Sequence, residues 1–255
     1  MLLEVKKGRV NIMKKKILLL LVLMMGINIF SAELTGNDIL KIVDKNLAPR
    51  DNEMYKKITN IESNGKTKEF ILYSAKKGDD KILSAFLSPA SEKGRTTLRV
   101  GDNMWSYIPA VKRPIRITSM QSVIGGLFNN SDIMKVDFLT EYDAKILEQN
   151  DKEYIIELKA KSKDIAYDKI KMWVSKENTL PYKYEAYTYS GMLYKVIELT
   201  KIKDFGNGIV RPSLVTTTSP FQKGAKSMME YLKVTPKEFP EEMFTQANMS
   251  KINIK

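Results

Sequence analysis

The chain has no cysteine and no histidine among its 255 residues. Without cysteine there is no disulfide, no thiolate metal site, no cysteine nucleophile and no sulfur to carry an acyl anchor. Without histidine the commonest general base and the commonest zinc ligand are both missing. Ser-His-Asp triads and most transition-metal hydrolases are thereby excluded. Long apolar runs are scarce too. The one present, Ile17 to Ile29, falls short of the roughly 20 residues that span a bilayer as a helix.

That run follows Met13-Lys14-Lys15-Lys16 and precedes the small residues Ser31 and Ala32. A basic stretch, an apolar core of this length and a small-residue exit make a signal peptide. Cleavage is expected after Ala32, with Met13 as the start of translation and residues 1–12 as an upstream extension. The mature chain is then exported, and nucleic acid is not expected as a partner. Net charge is +12, but residues 1–32 carry six basic side chains against Glu4 alone. The remaining excess is spread along the sequence, as on a solvated lysine-rich surface, with a face for anionic headgroups as the alternative.

The mature part is 33–255, and no linker or internal repeat divides it. Ile39, Leu40, Val43 and Leu47 recur at three- and four-residue spacing, Thr35 or Asn37 is placed to cap, and Pro49 follows. This predicts one amphipathic helix. After Asp51 the period changes to two. Segments beginning near Tyr55, Thr67, Lys81 and Thr96 are separated by Asn64-Gly65, Lys77-Gly78-Asp79-Asp80 and other turn signals. The pattern resumes from Lys145 to Thr235. Short alternating segments at hairpin spacing predict an antiparallel meander of about ten or eleven strands. A sheet of that width curls, with one face covered and the other wet. Between the halves lies Ser119 to Asn130, small and apolar, and a short helix is expected at Pro240 to Asn248.

Candidate chemistry is thin. Asp79 with Asp80, Asp102, Asp132, and Glu241 with Glu242 are carboxylates in predicted turns or at helix starts, where solvation or capping accounts for them. No nucleophile elbow or Ser-x-x-Lys context accompanies any serine. No catalytic residue, metal ligand or cofactor is expected. Trp105 with Tyr107, Tyr182 with Tyr184, and Tyr187 with Tyr189 lie two apart, so each pair should share a strand face. Such pairs either pack the sheet or line an apolar pocket.

From Lys93 to Phe138 the chain resembles the outer-membrane lipoprotein-sorting proteins, the LolA/LolB-like carriers. The matching positions are Gly94, Leu98, Gly101, Asp102, Trp105, Tyr107, Pro109, Lys112, Ile115, Arg116 and Ile117. One departure is Ile124-Gly125-Gly126-Leu127-Phe128-Asn129-Asn130, which stands where that family tends to carry a Met-Gly-Ser-Asp-Phe element. The resemblance implies a mainly β, single-domain, half-open antiparallel β-barrel whose concave face is covered by helices and an apolar loop. It implies a non-enzymatic periplasmic carrier that binds acyl chains of lipoproteins or lipids and moves them toward the outer membrane. Lipid-binding candidates are Leu98, Val100, Trp105, Tyr107, Ile115 and Ile117 on strands, with Ile124, Leu127 and Phe128 from a lid hinged at Gly125-Gly126. Implied partners are acylated lipoprotein or lipid cargo, an inner-membrane exporter, an outer-membrane acceptor and transient contact with a membrane surface. A monomer is expected. Rival readings are a lipid-sensing periplasmic regulator on the same fold, an outer-membrane β-barrel, and last a lipid-modifying hydrolase.

Overall fold

A computed structural model describes residues 33–122 and 124–252, so the segment read as a signal peptide lies outside the described residues. Helix α1 (Gly36–Leu47) opens the domain, and Thr35 is its cap. The Thr35 hydroxyl accepts from the Asp38 N–H at 3.2 Å, while Asp38 accepts from the Thr35 N–H at 3.0 Å. This reciprocal box satisfies two amide donors that a helix start leaves free. The predicted apolar stripe is buried: Ile39, Leu40 and Val43 are fully enclosed. Gly36 is required by contact, because a Cβ there would sit 2.5 Å from the Ala144 carbonyl oxygen.

The rest is one sheet of 13 strands. The first meander comprises β1 (Asn52–Ile61), β2 (Thr67–Lys77), β3 (Lys81–Ser88), β4 (Thr96–Val100), β5 (Asn103–Tyr107) and β6 (Pro114–Ile117). The second comprises β7 (Tyr142–Gln149), β8 (Glu153–Ala160), β9 (Lys169–Ser175), β10 (Pro181–Tyr187), β11 (Leu193–Asp204), β12 (Val210–Thr218) and β13 (Lys226–Pro236). Every neighbouring pair is antiparallel. The count exceeds the expected ten or eleven, and β4, β5 and β6 are only four or five residues long.

Sheet order runs β6-β5-β4-β3-β2-β1-β13-β12-β11-β10-β9-β8-β7. The two meanders are therefore joined by the β1–β13 ladder at the centre. Strands β6 and β7, consecutive in the chain, occupy opposite edges. Their connector, residues 118–141, must travel from one edge to the other, and it carries two single-turn helices, α2 (Asn130–Ile133) and α3 (Phe138–Glu141). Its residues Ile124, Phe128, Ile133, Met134 and Phe138 join one apolar cluster with side chains from β1 to β3 and β8 to β13. A sheet whose distant strands meet a common lid is a curled, open half-barrel, with its edges unpaired.

A second cluster lies on the outer face. Instead of the expected terminal helix, two 3-10 turns, Glu241–Phe244 and Gln246–Lys251, follow β13. Met243 N–H donates to Pro240 O and Asn248 N–H to Thr245 O, the three-residue spacing of tight turns. They press Phe244 and Met249 against Tyr73, Ala75, Leu83 and Leu98.

Candidate functional site

Inward positions along β1 are Asn52, Met54, Lys56, Ile58 and Asn60, all buried. Beneath the lid, Asn52, Met54, Lys56 and their neighbours line a cavity of about 70 Å³ between α1, the lid and the central strands. Apolar walls come from Met54, Ile82, Phe128, Val136, Val215 and Met229. One water needs roughly 10–15 Å³ on this measure, so the space admits a few waters or a small group.

The lid is fastened by polar contacts as well as by its buried apolar side chains. Lys195 from β11 meets Asp132 at 2.7 Å, with both side chains buried. Tyr167 donates to the other Asp132 oxygen at 2.8 Å and accepts from Asn129 at 3.0 Å. From β2, Lys76 pairs with Asp137 at 2.5 Å. Arg99 on β4 pairs with Glu141 and also donates to the Met134 carbonyl at 3.2 Å. Asn60 donates to Gly125 O at 3.0 Å, and Ser227 accepts from the Leu127 N–H at 2.9 Å. Gly126 sits so close to Asn60 that a Cβ would lie 2.3 Å from its side-chain amide, and its φ is +74°. The diglycine is thus a docked contact as well as a bend.

Helix α1 closes one end. Its Asp44 accepts from the Phe138 and Leu139 N–H groups at 2.8 and 2.9 Å. Burial, reinforced by the nearby Asp137 charge, pushes the Asp44 carboxyl up to about 7 despite those two donors. Opposite, burial and then the Arg211 charge push the Lys56 ammonium down to about 7. Among the described residues no group of three or more carboxylates is placed to hold a metal ion.

The nine lipid-binding candidates do not converge. Leu98, Val100, Trp105 and Tyr107 face outward into the cluster beneath the 3-10 turns. Leu98 pairs with Trp105 and Thr96 with Tyr107 across β4 and β5, so both aromatics share the outer side. Ile115 and Ile117 oppose Ser106 and Met104, which places them on the inner register of an edge strand. Ile115 is 41 % exposed there. Ile124 and Phe128 belong to the main cluster beneath the lid, and Leu127 is buried outside both clusters. Of the nine, Phe128 alone lines the cavity. Tyr182 and Tyr184 do not share a face, because a register shift between Pro181 and Lys183 turns Tyr182 outward while Tyr184 reaches the cavity.

Sequence reasoning passed over Lys56, Arg99, Lys195 and Arg211. The signal was present as a charge in the inward phase of an alternating strand: Lys56 between Met54 and Ile58, and Lys195 before Ile197 and Leu199.

Among solved structures, a LolA superfamily protein from Nitrosomonas europaea superposes with a TM-score of 0.78 at 26% identity, covering 84% of this chain and 99% of that one. A domain described as an outer membrane lipoprotein-sorting protein domain, from Vibrio parahaemolyticus, gives 0.72 at 20% identity, covering 84% and 98%. A DUF1329 family protein from Desulfovibrio piger gives 0.71 at 23% identity, covering 84% and 97%. No curated protein sequence matches the chain. A family model described as "-like: Uncharacterized protein" matches residues 78–251. That span takes in the lid, both flanking edges and most of the sheet, so the chain belongs to this family and its fold is that of the LolA superfamily structures.

Proposed function

We propose that the protein is a non-enzymatic periplasmic carrier that shields acyl chains of lipoproteins or lipids beneath the lid and delivers them toward the outer membrane. One observation carries this reading: the connector between the two free sheet edges lies over an apolar floor and is held there by separable polar contacts. Each methylene exposed to water costs about 0.8 kcal/mol, so an acylated molecule crossing an aqueous space needs such shielding. Similarity to a LolA superfamily protein and to a lipoprotein-sorting domain supports the same class of cargo. The basic and apolar segment at Met13 to Ala32 supplies export, with 33–255 as the working domain.

Native mass spectrometry of the mature protein taken from an envelope fraction tests this. Co-purifying diacyl or triacyl species are expected. Protein that is empty, and that also fails to take up a fluorescent fatty acid, defeats the proposal.

A further inference from the structure

Three of the ion pairs under the lid match cation to carboxylate: Lys195 with Asp132, Lys76 with Asp137 and Arg99 with Glu141. Of the cavity-lining cations without such a match two are fully buried, and the half-buried Lys135 lines the same space. Lys56 is 2 % exposed and Arg211 is 4 % exposed, and both line the cavity. Among the described residues no carboxylate lies within ion-pair distance of either. Lys56 donates to the Ile133 carbonyl at 3.0 Å, which occupies one of its three donors. Arg211 donates through Nε to Pro212 O at 3.3 Å and through Nη1 to Leu47 O, leaving Nη2 without a protein acceptor among the described residues.

The two cations converge on one ring. The Arg211 Cζ stands 4.0 Å from the Tyr231 centroid and the Lys56 Nζ stands 5.8 Å from it. The other ionisable groups facing this space are already engaged. Lys76 and Asp132 belong to the pairs above, and Asp44 is held by backbone amides. Lys135 lies over the Phe138 ring at 3.2 Å. Burying like charges without a counter-charge is unfavourable, and it is the arrangement that an arriving anion would relieve. The apolar walls beside them, Met54, Val215 and Met229, give a chain somewhere to run, and methionine adapts readily to such an occupant.

We propose that Lys56 and Arg211 form a buried receptor for the anionic headgroup of an amphiphile, a carboxylate or phosphate, whose chain lies under the lid. This rests on the carrier reading and narrows its cargo to acyl species with a negative head. Neutral acyl chains would be held less tightly. The cavity of about 70 Å³ matches a headgroup in size, and lid movement makes room for the chain.

The test uses delipidated mature protein with oleate, methyl oleate, acetate and inorganic phosphate as probes, followed by calorimetry. Oleate should bind about 10- to 100-fold more tightly than methyl oleate, the range expected for one charge-assisted bond. Lys56→Met should lower oleate affinity by about tenfold or more while leaving methyl oleate little changed. Its melting temperature should equal or exceed that of the parent, which separates lost binding from lost folding; Arg211→Gln gives the second reading. At pH 8, oleate binding should take up about one proton as Lys56 is recharged, and Lys56→Met should abolish that uptake. Equal affinity for oleate and methyl oleate overturns the headgroup site and leaves the carrier intact. Binding of neither overturns both. Acetate or phosphate binding as tightly as oleate overturns the amphiphile assignment in favour of a free small anion.

Discussion

Leu98 and Arg99 are neighbours on β4, yet their side chains enter different surroundings. Leu98 points outward to Tyr73, Leu83 and Phe244, in the outer hydrophobic cluster. Arg99 points inward, 1 % exposed, and reaches across to Glu141 and the Met134 carbonyl on the lid. The outer cluster gains stability by removing apolar surface from water. The inner face mixes apolar walls with buried charge, and desolvation consumes most of what the ion pairs contribute. The proposed binding surface and the smaller outer cluster thus lie on opposite sides of the same strands.

The most severe test of that division is Arg99→Met, which strands Glu141 without a counter-charge. A loss of about 3–5 kcal/mol in urea unfolding is expected, and adding Glu141→Leu should recover most of it. Leu98→Ala, one residue away, should cost about 2–5 kcal/mol by leaving a cavity. Here fatty-acid uptake by the folded fraction should stay unchanged; a large loss of uptake would mean the outer cluster shapes the cavity after all.

Titration sharpens the contrast more gently. Lys56 is held near 7 against an ordinary 10.5, so unfolding takes up a proton between those values and stability rises with pH across that window. Asp44 is held near 7 against an ordinary 3.8, so unfolding releases a proton in that interval and its contribution falls as pH rises. Together they should place a shallow trough near neutrality. Melting temperature followed against pH should lose its upper limb in Lys56→Met and its lower limb in Asp44→Asn, relative to the parent.

Gly126→Ala should unseat the lid at Asn60, at a cost of about 1–2 kcal/mol for the left-handed backbone alone. Faster uptake of a fluorescent fatty acid is the expected readout. At the bottom of the scale, Lys57→Ala removes an exposed 2.6 Å pair with Glu69 on the outer side of β1. Less than about 1 kcal/mol should be lost, with no change in uptake.

Much of the fold was legible in local pattern. Asn64-Gly65 marked the first hairpin, Thr35 the helix cap, and alternation marked the strands. The candidate site was less so, for two physical reasons. Strand β4 is buried on both faces, since Thr96, Thr97, Leu98 and Arg99 are all covered. Alternation therefore distinguishes its two sides without saying which is the cavity. What covers the outer side arrives about 140 residues later, in Phe239 and Phe244, and no local signal connects the two. Pro212 shows the same dependence on context. A proline within a strand ordinarily marks an edge or a bulge, yet β12 is an interior strand; the β12–β13 ladder extends only over Leu214 to Thr217, so the missing N–H falls beyond its end.

The β1–β13 ladder has a kinetic meaning as well. Asn52 pairs with Pro236 and Lys56 with Tyr231, so the seam through the cavity floor joins strands from opposite ends of the domain. Each meander can collapse on contacts near in sequence, but the seam requires closure of a loop nearly the length of the domain. Proteins dominated by such distant pairings fold on the millisecond-to-second scale and not faster. The pairing that floors the cavity is therefore the one in the sheet with the longest loop to close.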